Sequence, residues 1–366
     1  MTDITMIRAG EPPAPPLVAI LRKDKPMMKY IRCAVAALML APAPVAAQDF
    51  DAGVAAYDSG DYATALREWR PLAEQGDASA QYNLAIMYDN GEGVPQDDAE
   101  AVRWFRMAAE QGYATAQYNL GIMYNEAQGV PQDDAEAVRW FRMAAEQGYA
   151  TAQYNLGIMY NEGRGVPQDY AEAVRWYRMA AEQGFADAQF NLGNMFANGR
   201  GVPQDYAEAV RWYRLAAEQG IAVAQSNLGL MYSKGQGVPQ DDAEAARWYR
   251  LAAEQGHASS QFNLAIMYDN GEGVPKDDAE AVRWFQLAAE QGDASAQNYL
   301  GLMHALGDGV PQDYATAYMW LNIATANGAD ATKTRDTAAN LLAPAELSVA
   351  QRRARVCMES GYQDCD

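Results

Sequence analysis

Apolar residues along most of the chain recur at helical spacing, and the helical segments themselves recur at a fixed interval. In Asp77–Gly112, Ala80, Leu84, Met87 and Tyr88 fall on one helical face, and Gly91 to Gly93 stop that helix. Val94-Pro95-Gln96 leads to a second helix. Asp97 followed by Glu100 has the form of a capping box at its start, and Ala101, Val102, Phe105, Ala108 and Ala109 make its inward stripe. Gly112 ends it as a left-handed cap. Gly76, Gly112, Gly148, Gly184, Gly220, Gly256, Gly292 and Gly328 stand 36 residues apart, as do the tryptophans from Trp104 to Trp320 and the prolines from Pro95 to Pro311. Residues 77–328 are therefore seven units, each a pair of helices. A period in the range of roughly 20–50 residues marks a stacked array rather than several globular domains. The expected fold is all-α, a right-handed α/α solenoid of antiparallel helix pairs. The tryptophans, each able to bury roughly 150–250 Å², are its expected packing anchors. The small residue at Ala85, Gly121, Gly157, Gly193, Gly229, Ala265 and Gly301 lets paired helices approach closely.

The ends of the chain depart from the lattice. Residues 50–76 keep the helical-pair pattern through Tyr57, Gly60-Asp61-Tyr62, Ala65 and Trp69 but lack the Gly-Val-Pro-Gln connector, so 48–76 reads as a truncated opening repeat. Residues 329–366 predict two capping helices, Asp330 to Leu342 and Pro344 to Cys357. They would cover the last repeat, which carries Met319 and Asn322 where earlier units carry arginine. At the other end, the basic stretch Met27 to Arg32, the apolar run Cys33 to Ala41 and the small residues Val45-Ala46-Ala47 form the three parts of a signal peptide. Cleavage is expected after Ala47. The apolar run is too short to span a bilayer, and residues 1–26 read as an extension ahead of the true start.

Charge then narrows the function. The full chain has 28 basic and 48 acidic residues, a formal charge of −20. Loss of residues 1–47 removes six basic and three acidic residues and leaves −23. Such a surface has no general attraction for phosphate backbones, so a nucleic-acid partner is not expected. Two histidines and three cysteines do not make an ordinary zinc site, and neither metal nor cofactor is expected. After export only Cys357 and Cys365 remain, and a disulfide between them is the simplest reading in an oxidising compartment. No Ser-x-x-Lys, Gly-x-Ser-x-Gly, phosphate-cradling glycine loop or His-Glu-x-x-His occurs. Loops such as Asp89-Asn90-Gly91-Glu92-Gly93 lack EF-hand spacing, and His257 and His304 read as structural.

The run Ala116-Gln117-Tyr118-Asn119-Leu120-Gly121-Ile122-Met123-Tyr124, with Gly129-Val130, Asp133, Ala137, Trp140, Ala144-Ala145 and Gly148, resembles the Sel-one-like repeat. That family is a longer-loop relative of the tetratricopeptide repeat, and residues 50–76 resemble an ordinary tetratricopeptide unit. Ala127 departs from the pattern where other units have glycine, and His304 where they have tyrosine. The resemblance implies a scaffold whose first helices line a concave face. Carried onto this chain, that face holds Tyr82, Tyr118, Tyr154, Phe190 and Phe262, beside Ile86, Ile122, Ile158, Leu230, Ile266 and Leu302. An asparagine ladder, Asn83, Asn119, Asn155, Asn191, Asn227 and Asn263, falls where peptide-binding tetratricopeptide domains grip a peptide backbone. An amide offers a donor and an acceptor, which suits an extended chain.

Two readings of this stripe stand side by side: it lines a groove, or it stacks one repeat on the next and the asparagines bond to neighbouring loops. Breaks at Asn194, Ser226 and Asn298 fit a groove of local character slightly better than a uniform packing seam. Two functions follow. The first is a non-enzymatic periplasmic or secreted adaptor that binds a peptide or protein segment. The alternative is a cell-wall-directed or β-lactamase-like hydrolase, because Cys-rich relatives of the family are assigned as β-lactamases. Those relatives carry a disulfide in each repeat, and this chain does not.

Overall fold

The computed structural model describes residues 49–365, so the expected signal peptide, its cleavage point after Ala47 and the extension at 1–26 lie outside the described residues. The chain divides into two compact units at Gln168/Asp169. The first unit holds α1 (Phe50–Asp58), α2 (Tyr62–Glu74), α3 (Ala78–Asn90), α4 (Asp98–Glu110), α5 (Ala114–Glu126), α6 (Asp134–Glu146) and α7 (Ala150–Glu162). The second holds α8 (Tyr170–Glu182), α9 (Ala186–Asn198), α10 (Tyr206–Glu218), α11 (Ala222–Lys234), α12 (Asp242–Glu254), α13 (Ala258–Asn270), α14 (Asp278–Ala289), α15 (Ala294–Leu306), α16 (Tyr314–Ala326), α17 (Thr332–Asn340) and α18 (Pro344–Glu359). Among the described residues every regular element is a helix. Within each unit each helix up to α17 packs on the next, which places the chain in the all-α solenoid class.

The second helix of each repeat is the amphipathic one. In α4, Ala101, Val102, Trp104, Phe105, Ala108 and Ala109 are all buried, and the same six positions are buried in α6. Trp104, Trp140, Trp212, Trp248 and Trp284 are at most 6% exposed, so their rings are removed from water as the sequence predicts. The preceding arginine lies over each ring, for example Arg211 at 4.1 Å from the Trp212 centroid. The indole N–H groups of these five tryptophans find no hydrogen-bond partner, so the anchoring is by area and not by hydrogen bonding.

Helix starts follow the predicted aspartates, with one correction. Asp97 accepts from the backbone N–H of Ala99 and Glu100, both at 3.1 Å. The reciprocal half of the capping box is missing. Asp97 N–H is already taken by the Tyr88 carbonyl at 2.9 Å, and Glu100 turns outward to Arg103 at 2.9 Å. Glu136 turns to Arg139 in the same way.

A buried amide relay joins successive repeats. Gln117 is 1% exposed; its Nε2 donates to the Ala109 carbonyl at 3.0 Å, and its Oε1 accepts from Gln147 Nε2 at 2.7 Å. Gln81 does the same with Ala73 and Gln111, Gln225 with Ala217 and Gln255, and Gln261 with Ala253 and Gln291. Each side chain thus satisfies one carbonyl of the preceding helix end and one amide of the next.

At the C-terminal end α17 and α18 both pack on α16. Tyr318, Leu321 and Ala324 of α16 share a core with Ala331, Ala338 and Ala350. Met319 is fully buried in a neighbouring cluster with Ala354 and Cys357. Cys357 and Cys365 are joined by a disulfide. Beyond α18, the Tyr362 hydroxyl bonds to Asn327.

Candidate functional site

The stripe on the first helices turns largely inward. The Tyr82 ring lies 5.8 Å from that of Phe105 in its own repeat and 5.1 Å from that of Tyr113 at the start of the next. Tyr118 stands in the same relation to Phe141 and Tyr149, whereas Phe262 packs on Phe285 of its own repeat and on Tyr299 in the middle of α15. Phe190 faces Tyr213. Tyr118 and Tyr154 are buried, whereas Tyr82, Phe190 and Phe262 remain partly exposed. The asparagine ladder splits likewise. Asn155 and Asn191 are buried, and Asn83, Asn119, Asn227 and Asn263 are partly exposed. The break at Asn194 has a packing cause, since its Oδ1 accepts from the Tyr213 hydroxyl at 2.7 Å. His257 caps α13 through Nδ1, which accepts from Ser260 N–H.

Where α3, α4 and α5 converge in the first unit, a pocket of about 540 Å³ opens. Tyr118, Asn119, Ile122 and Glu126 line it from one side of α5. Their spacing keeps them together on the helix surface. Asp89 and Asn90 enter from the end of α3, Gln96 and Asp98 from the start of α4, and Gln128 from the loop after α5. Three of the residues predicted for the stripe are therefore brought together here, with six others. No Lys, Arg or His is among the lining residues.

Two backbone features shape the pocket. Gly129 has φ 64°, and a Cβ there would meet the Asp98 carbonyl oxygen at 2.3 Å. The loop is therefore pressed onto the start of α4, which sets Gln128 close to Asp98. Ala127 occupies the left-handed region at φ 59°, where other repeats place glycine, and ends α5 beside Glu126.

Burial governs the ionisation of the tyrosines. It pushes Tyr82 up to about 12, the phenolates of Tyr149 and Tyr113 add to this, and the Asn119 amide works weakly the other way. Tyr118 is pushed up further, again first by burial, so its hydroxyl keeps its proton throughout the neutral range. That hydroxyl is buried and makes no hydrogen bond of proper geometry, although the Asn155 amide is near enough to lower its pKa slightly.

Asp98, Glu126, Gln96 and Gln128 were not singled out from sequence as site residues, and Asp89 was weighed only as part of a loop without EF-hand spacing. The signal lay in positions that vary between repeats. The residue at Gln128 is Glu92, Arg164, Arg200, Gln236, Glu272 or Asp308 elsewhere, and the residue at Gln96 becomes Lys276.

The Sel1 repeat profile matches residues 78–113, 114–149, 150–185, 186–221, 222–257, 258–293 and 294–328. A protective antigen of uropathogenic Escherichia coli with an SLR fold is 31% identical; the match covers 86% of this chain and 92% of the antigen, with a TM-score of 0.53. A Sel1 repeat protein from Oxalobacter formigenes is 35% identical over 78% of this chain and 88% of its own, with a TM-score of 0.62. No match was found among curated proteins. With seven repeats matched over more than half of its length, in a stack of helix pairs like those of the solved Sel1 repeat proteins, the chain belongs to the Sel1 repeat family.

Proposed function

We propose that this chain is an exported, non-enzymatic scaffold that holds a peptide or protein segment against the first-helix face, with the pocket of the first unit as its anchoring point. Sel1 repeat proteins are generally protein-interaction scaffolds and generally non-catalytic. The observation that carries the reading for this chain is the pocket, in which Asn119 and Ile122 meet three carboxylates and three further amides. It is concave, largely polar and built on helices, as a side-chain receptor should be. Asn83, Asn227 and Asn263 are the further partly exposed amides along the face, and Tyr82, Phe190 and Phe262 its partly exposed rings. The buried Tyr118, Tyr154, Asn155 and Asn191 act on this face by fixing its shape.

Export is supported by the signal pattern before Gln48 and by the Cys357–Cys365 disulfide. The likeness to a protective antigen points the same way. No helix among the described residues is long and apolar enough to cross a membrane. The compartment is the periplasm or the outside of the cell, and the mature chain starts at Gln48. The scaffold reading is tested with purified protein immobilised and exposed to periplasmic extract. Replacing Asn83 and Asn119 by Ala is expected to leave the helical circular dichroism unchanged and to remove the captured partner. Unchanged capture would refute a role for this face.

A further inference from the structure

The cage recurs one repeat on, and its Asp89/Asp98 side recurs in the sixth repeat, each time with a cation of the chain's own against it. One repeat on, the positions of Asp89, Asp98, Glu126 and Gln128 are Asn125, Asp134, Glu162 and Arg164. Arg164 Nη2 donates to Asn125 Oδ1 at 2.6 Å and to Asp134 Oδ1 at 3.2 Å, and Nη1 lies 3.7 Å from Glu162 Oε2. A guanidinium thus touches the equivalents of all three carboxylates that line the pocket. In the sixth repeat the residue equivalent to Gln96 is Lys276. Its Nζ lies 2.9 Å from Asp278 and 3.6 Å from Asp269, the equivalents of Asp98 and Asp89. In the first repeat both cation positions are glutamine. Over the nine lining positions both cages carry three carboxylates, since Glu126 stands for Asn90 where Asn125 stands for Asp89, and only the first lacks a cation of its own.

Tyr118 forms part of the wall: it is 4% exposed, and its buried hydroxyl lies beside the Asn155 amide. Among the described residues no group of three or more His, Cys, Asp and Glu is placed to hold a metal ion, and the cation that fills the equivalent cage is an organic one. A planar guanidinium presents five donors in a fixed fork and suits acceptors spread around a cage better than an ammonium does.

We propose that the pocket of the first unit receives the guanidinium of an arginine side chain presented by the bound protein segment, in the place that Arg164 fills in the next repeat. This rests on the scaffold reading and names the group that the scaffold grips. The test is titration of the full chain with a capped Gly-Gly-Arg-Gly-Gly peptide, followed through the side-chain amide NMR signals of Asn119 and Gln128. The arginine peptide is expected to shift these signals to saturation. The citrulline version, isosteric but uncharged, is expected to bind at least about tenfold more weakly, and the lysine version to fall between. Gln128→Arg, which copies the residue of the next repeat, is expected to abolish binding with the fold intact. Asp98→Asn is expected to weaken it about tenfold. Equal binding of the citrulline peptide, or tighter binding of the lysine peptide, would overturn the arginine assignment. So would unchanged binding to Gln128→Arg or to Asp98→Asn. Absence of any peptide-induced shift, in a protein that still captures its partner through Asn83 and Asn119, would overturn this inference and leave the scaffold reading standing.

Discussion

Gln147→Leu isolates one link of the amide relay. Gln147 Nε2 is the hydrogen-bond donor found for Gln117 Oε1, at 2.7 Å, and Gln117 is only 1% exposed. Leucine has nearly the same volume and no donor, so it leaves a buried carbonyl oxygen without a partner. Such a group costs about 1–3 kcal/mol, against about 0.5–1.5 kcal/mol for a hydrogen bond lost at a site open to water. We therefore expect a loss of about 2 kcal/mol. The double variant Gln117→Leu/Gln147→Leu removes the orphaned oxygen as well. The Ala109 carbonyl that Gln117 served still accepts from Gly112 N–H at 3.0 Å. The double variant should therefore be less destabilised than the sum of the single ones, with a coupling of about 1–2 kcal/mol. Urea unfolding followed by circular dichroism, with hydrogen exchange at α5 and α6 to guard against stepwise unfolding of the array, reads both quantities. A cost for Gln147→Leu below about 0.5 kcal/mol, or strict additivity, would refute the view that this link of the relay stabilises the pairing of α5 with α6.

Three further outcomes follow from particular residues. Ala127→Gly relieves a left-handed alanine at φ 59° and should stabilise the first unit by about 0.5–1 kcal/mol after the entropy of glycine is counted, seen as a raised urea midpoint. The buried tyrosines make stability fall in alkali. Tyr82 and Tyr249 ionise near 12 in the folded chain and near 10 when unfolded. Their contribution, roughly 2–3 kcal/mol each, is complete below pH 10 and disappears between pH 10 and 12; tyrosinate absorbance and helicity should change together there, and titration of all tyrosines before unfolding would contradict it. Opening the Cys357–Cys365 disulfide, whose residues are 8 apart in sequence, should cost about 2.5 kcal/mol by loop entropy, read as earlier exchange of α18 amides under reduction.

The helix pairs were legible because their apolar spacing repeats seven times, so each element was read from many copies at once. The buried faces of α3 and α4 hold the expected residues except Tyr88, which is only partly buried, and Ala127 marks a departure that the backbone accommodates at positive φ. Two things hid behind the same regularity. The relay glutamines, Gln81 to Gln297, recur in every unit, but a polar residue on an inner face leaves no mark in a hydrophobic pattern. The pocket depends on the variable position that is Gln128 here, and on how closely Gly129 presses against α4, a distance no linear pattern carries. The stripe itself was legible as a stripe. Its division into buried members such as Asn155 and partly exposed ones such as Asn119 comes from the packing of each repeat on its neighbours.

The central claim is that the first-helix face of the first unit docks a protein. A photo-crosslinking amino acid at Ile122, which lines the pocket, tests it most directly in cells that express the full chain, with the same probe at the exposed Arg139 of α6 as the reference. Position 122 is expected to give one discrete adduct with another protein and position 139 none, with the adduct lost in the Gln128→Arg background. Equal labelling from both positions, or an adduct at 122 that Gln128→Arg leaves unchanged, would contradict it.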